Sequence, residues 1–243
     1  MGPRKASQAI VGLDIEPGFA AAARVSANGR LAVARAALAA LAPEVMAGGD
    51  VHDVDGLSTV LQELFASGDL GRRVRVGLAS PRVSVRLLEL PPLSERKDLD
   101  AAVRFQAAEE MPIPMDQAVL DYQALGIVPT PAGPRARVVA VAAQRDVVER
   151  LLAAVRGAGL RVEGVDLSAF ALIRALHRRG EPVGGVTLYA SVGGMTNIAI
   201  AQDAICLFTR VTANGTEAMA DDLAPRHELS IDRGRGWIAH VGG

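Results

Sequence analysis

The chain has 243 residues, half of them hydrophobic and 22% charged. That is enough apolar material for a substantial core and too ordinary a charge content for disorder. The formal net charge of −1 gives no bulk electrostatic case for nucleic acid or an anionic membrane surface. Cys206 is the single cysteine, which excludes an intrachain disulfide and a cysteine-built metal cluster. Of the basic residues only Lys5 and Lys97 are lysine, a bias we assign to genome composition before function.

The first eight residues read as a tail. The apolar run that follows stops at Asp14, too short for a signal peptide's apolar region plus cleavage site. Three short apolar runs, Ala9–Ile15, Phe19–Ser26 and Leu31–Ala37, have Asn28-Gly29 between the last two. Asn-Gly suits the positive φ values of a type I′ turn, so the spacing predicts an antiparallel meander of three strands. Pro43 to Gly56 reads as loop. Leu57, Val60, Leu61, Leu64 and Phe65 recur at helical spacing and predict an amphipathic helix ending near Gly68.

Val74–Leu78 and Val83–Leu90 read as strands. Ser94 is expected to cap a helix that runs to about Glu110, where Met111-Pro112-Ile113-Pro114 stops it. Ala118–Ile127 is strand-like, Pro129 to Pro134 loop, and Arg137–Ala143 strand. Val147, Val148, Leu151, Leu152 and Val155 form a helical stripe closed by Gly157 and Gly159. Leu160–Asp166 is a strand, and Ser168 is expected to cap the next helix. The opening pattern then returns: strands Val186–Ser191, Thr196–Ala201 and Ala204–Arg210, with Gly193-Gly194 at the first turn. A helix from about Gly215 to Leu223, ended by Pro225, and a last helix over Asp232–His240 complete the pass. No run approaches the ~18 apolar residues of a membrane-spanning helix.

Common catalytic signatures are absent: no G-x-G-x-x-G, no Walker A, no H-E-x-x-H, no G-x-S-x-G. Asp53-Val54-Asp55-Gly56 lacks the further acids of a calcium loop. The informative pattern is the repeated hairpin. Two strand–turn–strand units with small turn residues and an acid can clamp a polyphosphate, backbone N–H groups approaching the oxygens and carboxylates holding Mg²⁺ through water. Laying IVGLDIEPGFAAAARV over TLYASVGGMTNIAIAQ aligns Asp14 with Ser191 and Glu16 with Gly193. Both copies are altered: Glu16 stands where a glycine is wanted, and Ser191 where the second acid is wanted.

The segments VGLDIEPG, SVRLLELPPLSE, VRFQAAEEMPIPMDQAVLDYQAL, VVAVAAQRDVVERLLAAVRGAGLRVEGVDLSAFALIRAL and LYASVGGMTNIAIAQDAICLFTRVTANGTEAMADDLA together resemble the PilM family of type IV pilus assembly, actin-like proteins related to the cell-division protein FtsA. The resemblance spans about residues 10 to 240. It implies an α/β, actin-like (ribonuclease H-like) fold with an inserted small α/β subdomain. The first actin-like subdomain is then expected over 8–82 plus 167–182, the inserted partner-binding subdomain over 83–166, and the start of the second half over 183–243. That second half is expected to be incomplete, because family members continue further and carry a Gly-rich adenosine-binding turn.

The resemblance implies a cytoplasmic platform that binds the N-terminal tail of a PilN-like inner-membrane protein. It would meet other pilus assembly proteins, reach the membrane only through its partner, and make no contact with nucleic acid. Arg86, Leu90, Phe105 and Tyr122 are the candidate groove residues, chosen as apolar pockets and polar anchors for an extended peptide. Family members are thought to bind ATP with Mg²⁺; the matching positions here are Asp14, Ser191, Gly193, Gly194 and Thr196. With Glu16 and Ser191 altered, binding is expected to be weak or absent. The alternative is a weak ATPase or nucleotide-dependent switch on the same fold.

Overall fold

A computed structural model describes residues 10–26, 32–177 and 184–241. The chain opens with β1 (Val11–Glu16), β2 (Phe19–Ser26) and β3 (Ala32–Ala40), an antiparallel meander. The Asn28-Gly29 turn lies outside the described residues, but Ser26 pairs with Ala32 across it. The segment expected as loop holds a minimal hairpin, β4 (Met46–Ala47) and β5 (Asp50–Val51), turning on Gly48 and Gly49, both at positive φ.

Helix α1 (Val54–Ser67) is capped by Asp53, whose Oδ1 accepts from the Gly56 N–H. The Asp-Val-Asp-Gly segment is thus a helix start. Strand β6 (Arg73–Leu78) runs parallel to β1, and β10 (Arg161–Leu167) runs parallel to β6, giving the sheet order β10-β6-β1-β2-β3.

Between β6 and β10 lies a second sheet, order β7-β9-β8, built from β7 (Val83–Leu90), β8 (Ala118–Thr130) and β9 (Gly133–Gln144). Helix α2 (Arg96–Glu110) connects β7 to β8 and packs Val103 and Ala107 on Leu88, Leu90, Val138 and Ala140. Helix α3 (Arg145–Gly157) then lies beside α1, where Ser58 Oγ donates to the Ala154 carbonyl at 3.0 Å and Gly157 leaves room for the hydroxyl.

Three expectations are corrected here. The inserted unit, expected over 83–166, is a three-stranded sheet over 83–144. The strand expected over Leu160–Asp166 is instead β10, Arg161–Leu167, and completes the five-stranded sheet, because its edge bonds to β6, and α3 buries its stripe in the core of that sheet. Pro129 to Pro134 is the end of a long hairpin rather than a loop, with Pro129 opposite Pro134. Neither Ser94 nor Ser168 caps a helix: α2 follows Glu95 and α4 (Ser168–Leu176) follows Leu167, both without a side-chain cap bond.

Alternation along the strands divides the five-stranded sheet. Val11, Leu13, Ile15, Val74 and Val76 are buried with the apolar stripes of α1 and α3. The intervening Gly12, Asp14, Glu16, Arg75 and Gly77 line a cavity on the opposite face. Helix α4 leaves β10 and packs Ala169 and Ile173 on a second meander, β11 (Val186–Val192), β12 (Thr196–Gln202) and β13 (Ile205–Thr212). Helices α5 (Thr216–Arg226) and α6 (Ile231–Val241) follow; Pro225 sits inside the last turn of α5 rather than ending it. No helix among the described residues is long and apolar enough to cross a membrane.

Candidate functional site

The two hairpins meet turn to turn. Strand β1 carries Asp14 and Glu16 to its end, and Pro17-Gly18 turns into β2, with Gly18 at φ +89°. Opposite stands Gly193-Gly194-Met195, between β11 and β12. A side chain at Gly194 would strike the Pro17 backbone, and one at Gly193 would strike the Glu16 carboxylate. Neither glycine has positive φ, so each is needed for close approach rather than for backbone freedom. Gly215, directly before α5, packs on the backbone of Gly193 and Gly194, and Thr216 donates to the Gly193 carbonyl from its N–H at 2.7 Å and its Oγ1 at 2.8 Å.

Glu16 is 3% exposed. Its Oε2 accepts from the Met195 N–H at 3.4 Å, and the Gly194 N–H also bonds to the carboxylate. Burial, and then the charge of Asp14, push its pKa above the ordinary glutamate value, while these two N–H groups oppose the rise. Asp14 is also raised, first by burial, with a lowering contribution from Ser168, whose Oγ donates to Oδ1 at 3.1 Å. Gly77 on β6 sits against both oxygens; any larger residue would part them.

The structure therefore brings Asp14 and Ser191 to the wall of one cavity of about 730 Å³, together with Glu16 and Asn197. It places Gly193 and Gly194 in the turn contact instead. Thr196 Oγ1 donates to the Asn214 carbonyl, and its role is to hold the β12 start to the loop before α5. Met195, and the part that Ser168 plays at Asp14, escaped the sequence reading because their partners are remote in the chain. Gly77 carried a usable signal, since glycine inside a buried strand marks a close approach.

A second concavity, about 760 Å³, lies between the inserted sheet and the five-stranded sheet. Its walls are Val119, Asp121 and Gln123 on β8, Val139 and Val141 on β9, Val165 on β10 and Phe170 on α4. Strand β8 has a hydrogen-bonded neighbour on one side only among the described residues. Arg75, Asp166 and Arg174 line both concavities, and Arg174 is ion-paired with Asp166.

The four expected peptide contacts lie mainly elsewhere. Arg86 and Tyr122 are opposite Ala140 in one row of the inserted sheet, on the face covered by α2. Arg86 donates to the Val85 carbonyl, and Tyr122 Oη donates to Asp100 on α2 at 2.5 Å. Leu90, 2% exposed, is core beneath α2 and has no surface to offer, which corrects its expected role. Phe105 stands outward on α2, 67% exposed. Of the four, Tyr122 alone also borders the second concavity.

A family model described as type IV pilus assembly protein PilM matches residues 12–235. The chain belongs to this family. Among solved structures it is similar to a PilM–PilN type IV pilus biogenesis complex, with 25% identity and a TM-score of 0.83 over 96% of this chain and 70% of that one. It also resembles the ethanolamine utilization protein EutJ from Carboxydothermus hydrogenoformans, with 16% identity and a TM-score of 0.54 over 97% of this chain and 61% of that one, a likeness of fold alone. The fold is actin-like: a ribonuclease H-type sheet with an inserted unit, followed by a second meander.

Proposed function

We propose that this pilus assembly protein binds the N-terminal tail of a PilN-like membrane protein, and that the tail lies along β8 in the groove between the inserted sheet and the five-stranded sheet. The supporting observation is that groove: an open strand edge beside apolar side chains. An extended peptide adds main-chain hydrogen bonds to such an edge, and alternate side chains enter the pockets. Val139, Val141, Val165 and Phe170 provide the apolar wall, and Asp121 with Arg75 provides polar anchors. Ordering a flexible tail opposes binding, so affinity is expected on the order of micromolar. The protein works inside the cell and reaches the inner membrane through this partner; further pilus assembly proteins join the same platform.

The test compares the two faces of the inserted sheet. A synthetic tail peptide is titrated by fluorescence anisotropy into the wild type, Val165→Asp, Val119→Asp, Arg86→Ala and Phe105→Ala. Val119 and Val165 are each more than a third exposed, so a charge is tolerated by the fold. The aspartates should weaken binding at least tenfold, and the α2-face changes should leave it within twofold. Loss through Arg86 or Phe105 with the aspartates silent would move the groove to the α2 face.

A further inference from the structure

We propose that Glu16 is an intramolecular ligand: its carboxylate fills the anion-binding nest of the second hairpin turn, in the place a phosphate oxygen would need. Successive backbone N–H groups in a tight turn make an anion-binding concavity. Here Gly194 and Met195 supply them, and the group they hold is the Glu16 side chain. The nest is closed on its other sides. Pro17 lies against Gly194, and Gly215 lies against the backbone of Gly193 and Gly194. Met195 is 1% exposed. A nucleotide polyphosphate clamped between the turns would have to displace Glu16.

Charge opposes it as well. The adjoining cavity wall presents the Asp14 and Glu16 carboxylates; of the two guanidiniums that line it, Arg174 is engaged by Asp166, which leaves Arg75 against two acids. A Mg-nucleotide does not fit the residues present. The two halves of the fold are instead bridged by a carboxylate that belongs to the chain, so the closed arrangement persists without a soluble ligand. A glycine at position 16 would restore both the volume and the free N–H pair.

The experiment follows the melting temperature of the full chain with Mg²⁺ and millimolar inorganic pyrophosphate, for the wild type, Glu16→Gly and Glu16→Ala. The wild type should show no shift with pyrophosphate and no saturable heat with Mg-ATP by calorimetry. Both variants should melt lower than the wild type without added anion. At least one should then gain several degrees on adding pyrophosphate and none with chloride of matched ionic strength. Saturable binding of pyrophosphate or Mg-ATP by the wild type overturns the proposal, whatever the variants do. So does the absence of any pyrophosphate response in the variants that fold.

Discussion

The Glu16 carboxylate occupies the space that a side chain at Gly193 would need, although 177 positions separate the two residues. The contact makes their substitutions interdependent. Gly193→Ala should destabilise the wild type because the new methyl group must displace a buried carboxylate. In a Glu16→Ala background the methyl group enters vacated volume and should be tolerated. Urea unfolding of the four proteins should give a coupling of about 0.5–3 kcal/mol, the range for residues in contact. Additive effects would mean that the two turns do not meet in solution.

Gly194→Ala should behave differently. Its neighbour is the Pro17 backbone, which cannot swing away as a side chain can. Overpacking against movable neighbours costs about 1–3 kcal/mol; here we expect a loss at or above the top of that range, unrelieved by Glu16→Ala. Recovery in the double variant would show that the side chain, rather than the backbone, limits the approach.

Arg82 ties the inserted sheet to the body. Its guanidinium bonds Gln144 on β9, Asp50 on β5 at 3.1 Å and both oxygens of Asp146 on α3, at 2.8 and 2.7 Å. The side chain is about one-third exposed, so solvent screening reduces the effect. Arg82→Ala should cost about 1–2 kcal/mol, less at high salt. The Asp146 carboxyl is held below its ordinary pKa, first by the hydrogen bond from Arg82. Its contribution is therefore present above the ordinary aspartate range and is lost as pH falls through the lowered value. An Arg82→Ala deficit that stays constant down to strongly acidic pH would contradict this pairing.

Asp14 and Glu16 give the opposite slope. Both have raised pKa values, so the folded chain holds their protons more tightly than the unfolded chain does. Their effect is that stability falls as pH rises from the ordinary carboxylate range through the raised values. Asp14→Asn removes one of the two charges and the repulsion between them. The melting temperature of Asp14→Asn relative to the wild type should climb as pH is raised across that window. A difference that is flat or declines with pH would show that Asp14 is not burdened by burial.

Much of the fold is legible in the sequence for local reasons. The stripe from Leu57 to Phe65 and that from Val147 to Val155 are helical because their period is, and each supplies the buried face observed. Val83–Leu90 is a strand as read, and its alternation puts Val85 in the core of the main sheet and Leu88 under α2. The failures are tertiary. Nothing local tells Leu160–Asp166 to join β6 rather than the inserted sheet, since a short apolar strand suits either edge. Ser168 has the sequence context of a cap, yet its hydroxyl goes to Asp14, 154 residues away. Leu90 looked available because a leucine's burial depends on what covers it, and α2 does. At the hairpins the altered positions, Glu16 and Ser191, are legible in the sequence; that Glu16 reaches across to the other turn is decided by tertiary packing between segments remote in the chain.

The inserted sheet departs after Arg82 and comes back at Gln144, and these two residues are hydrogen-bonded neighbours, the Gln144 N–H donating to the Arg82 carbonyl at 3.1 Å. The chain thus leaves and re-enters the body at one closed pair, and Arg145 adds bonds to the Gln117 and Ala118 carbonyls beside it. This closed pair makes the unit exchangeable: a homologous sheet with different groove walls could be grafted at the same two positions without re-threading the five-stranded body, provided that the apolar underside formed by Val83, Val85 and Leu87 is kept. Recognition of a new partner and preservation of the scaffold would then be separable problems for evolution, and for the engineer.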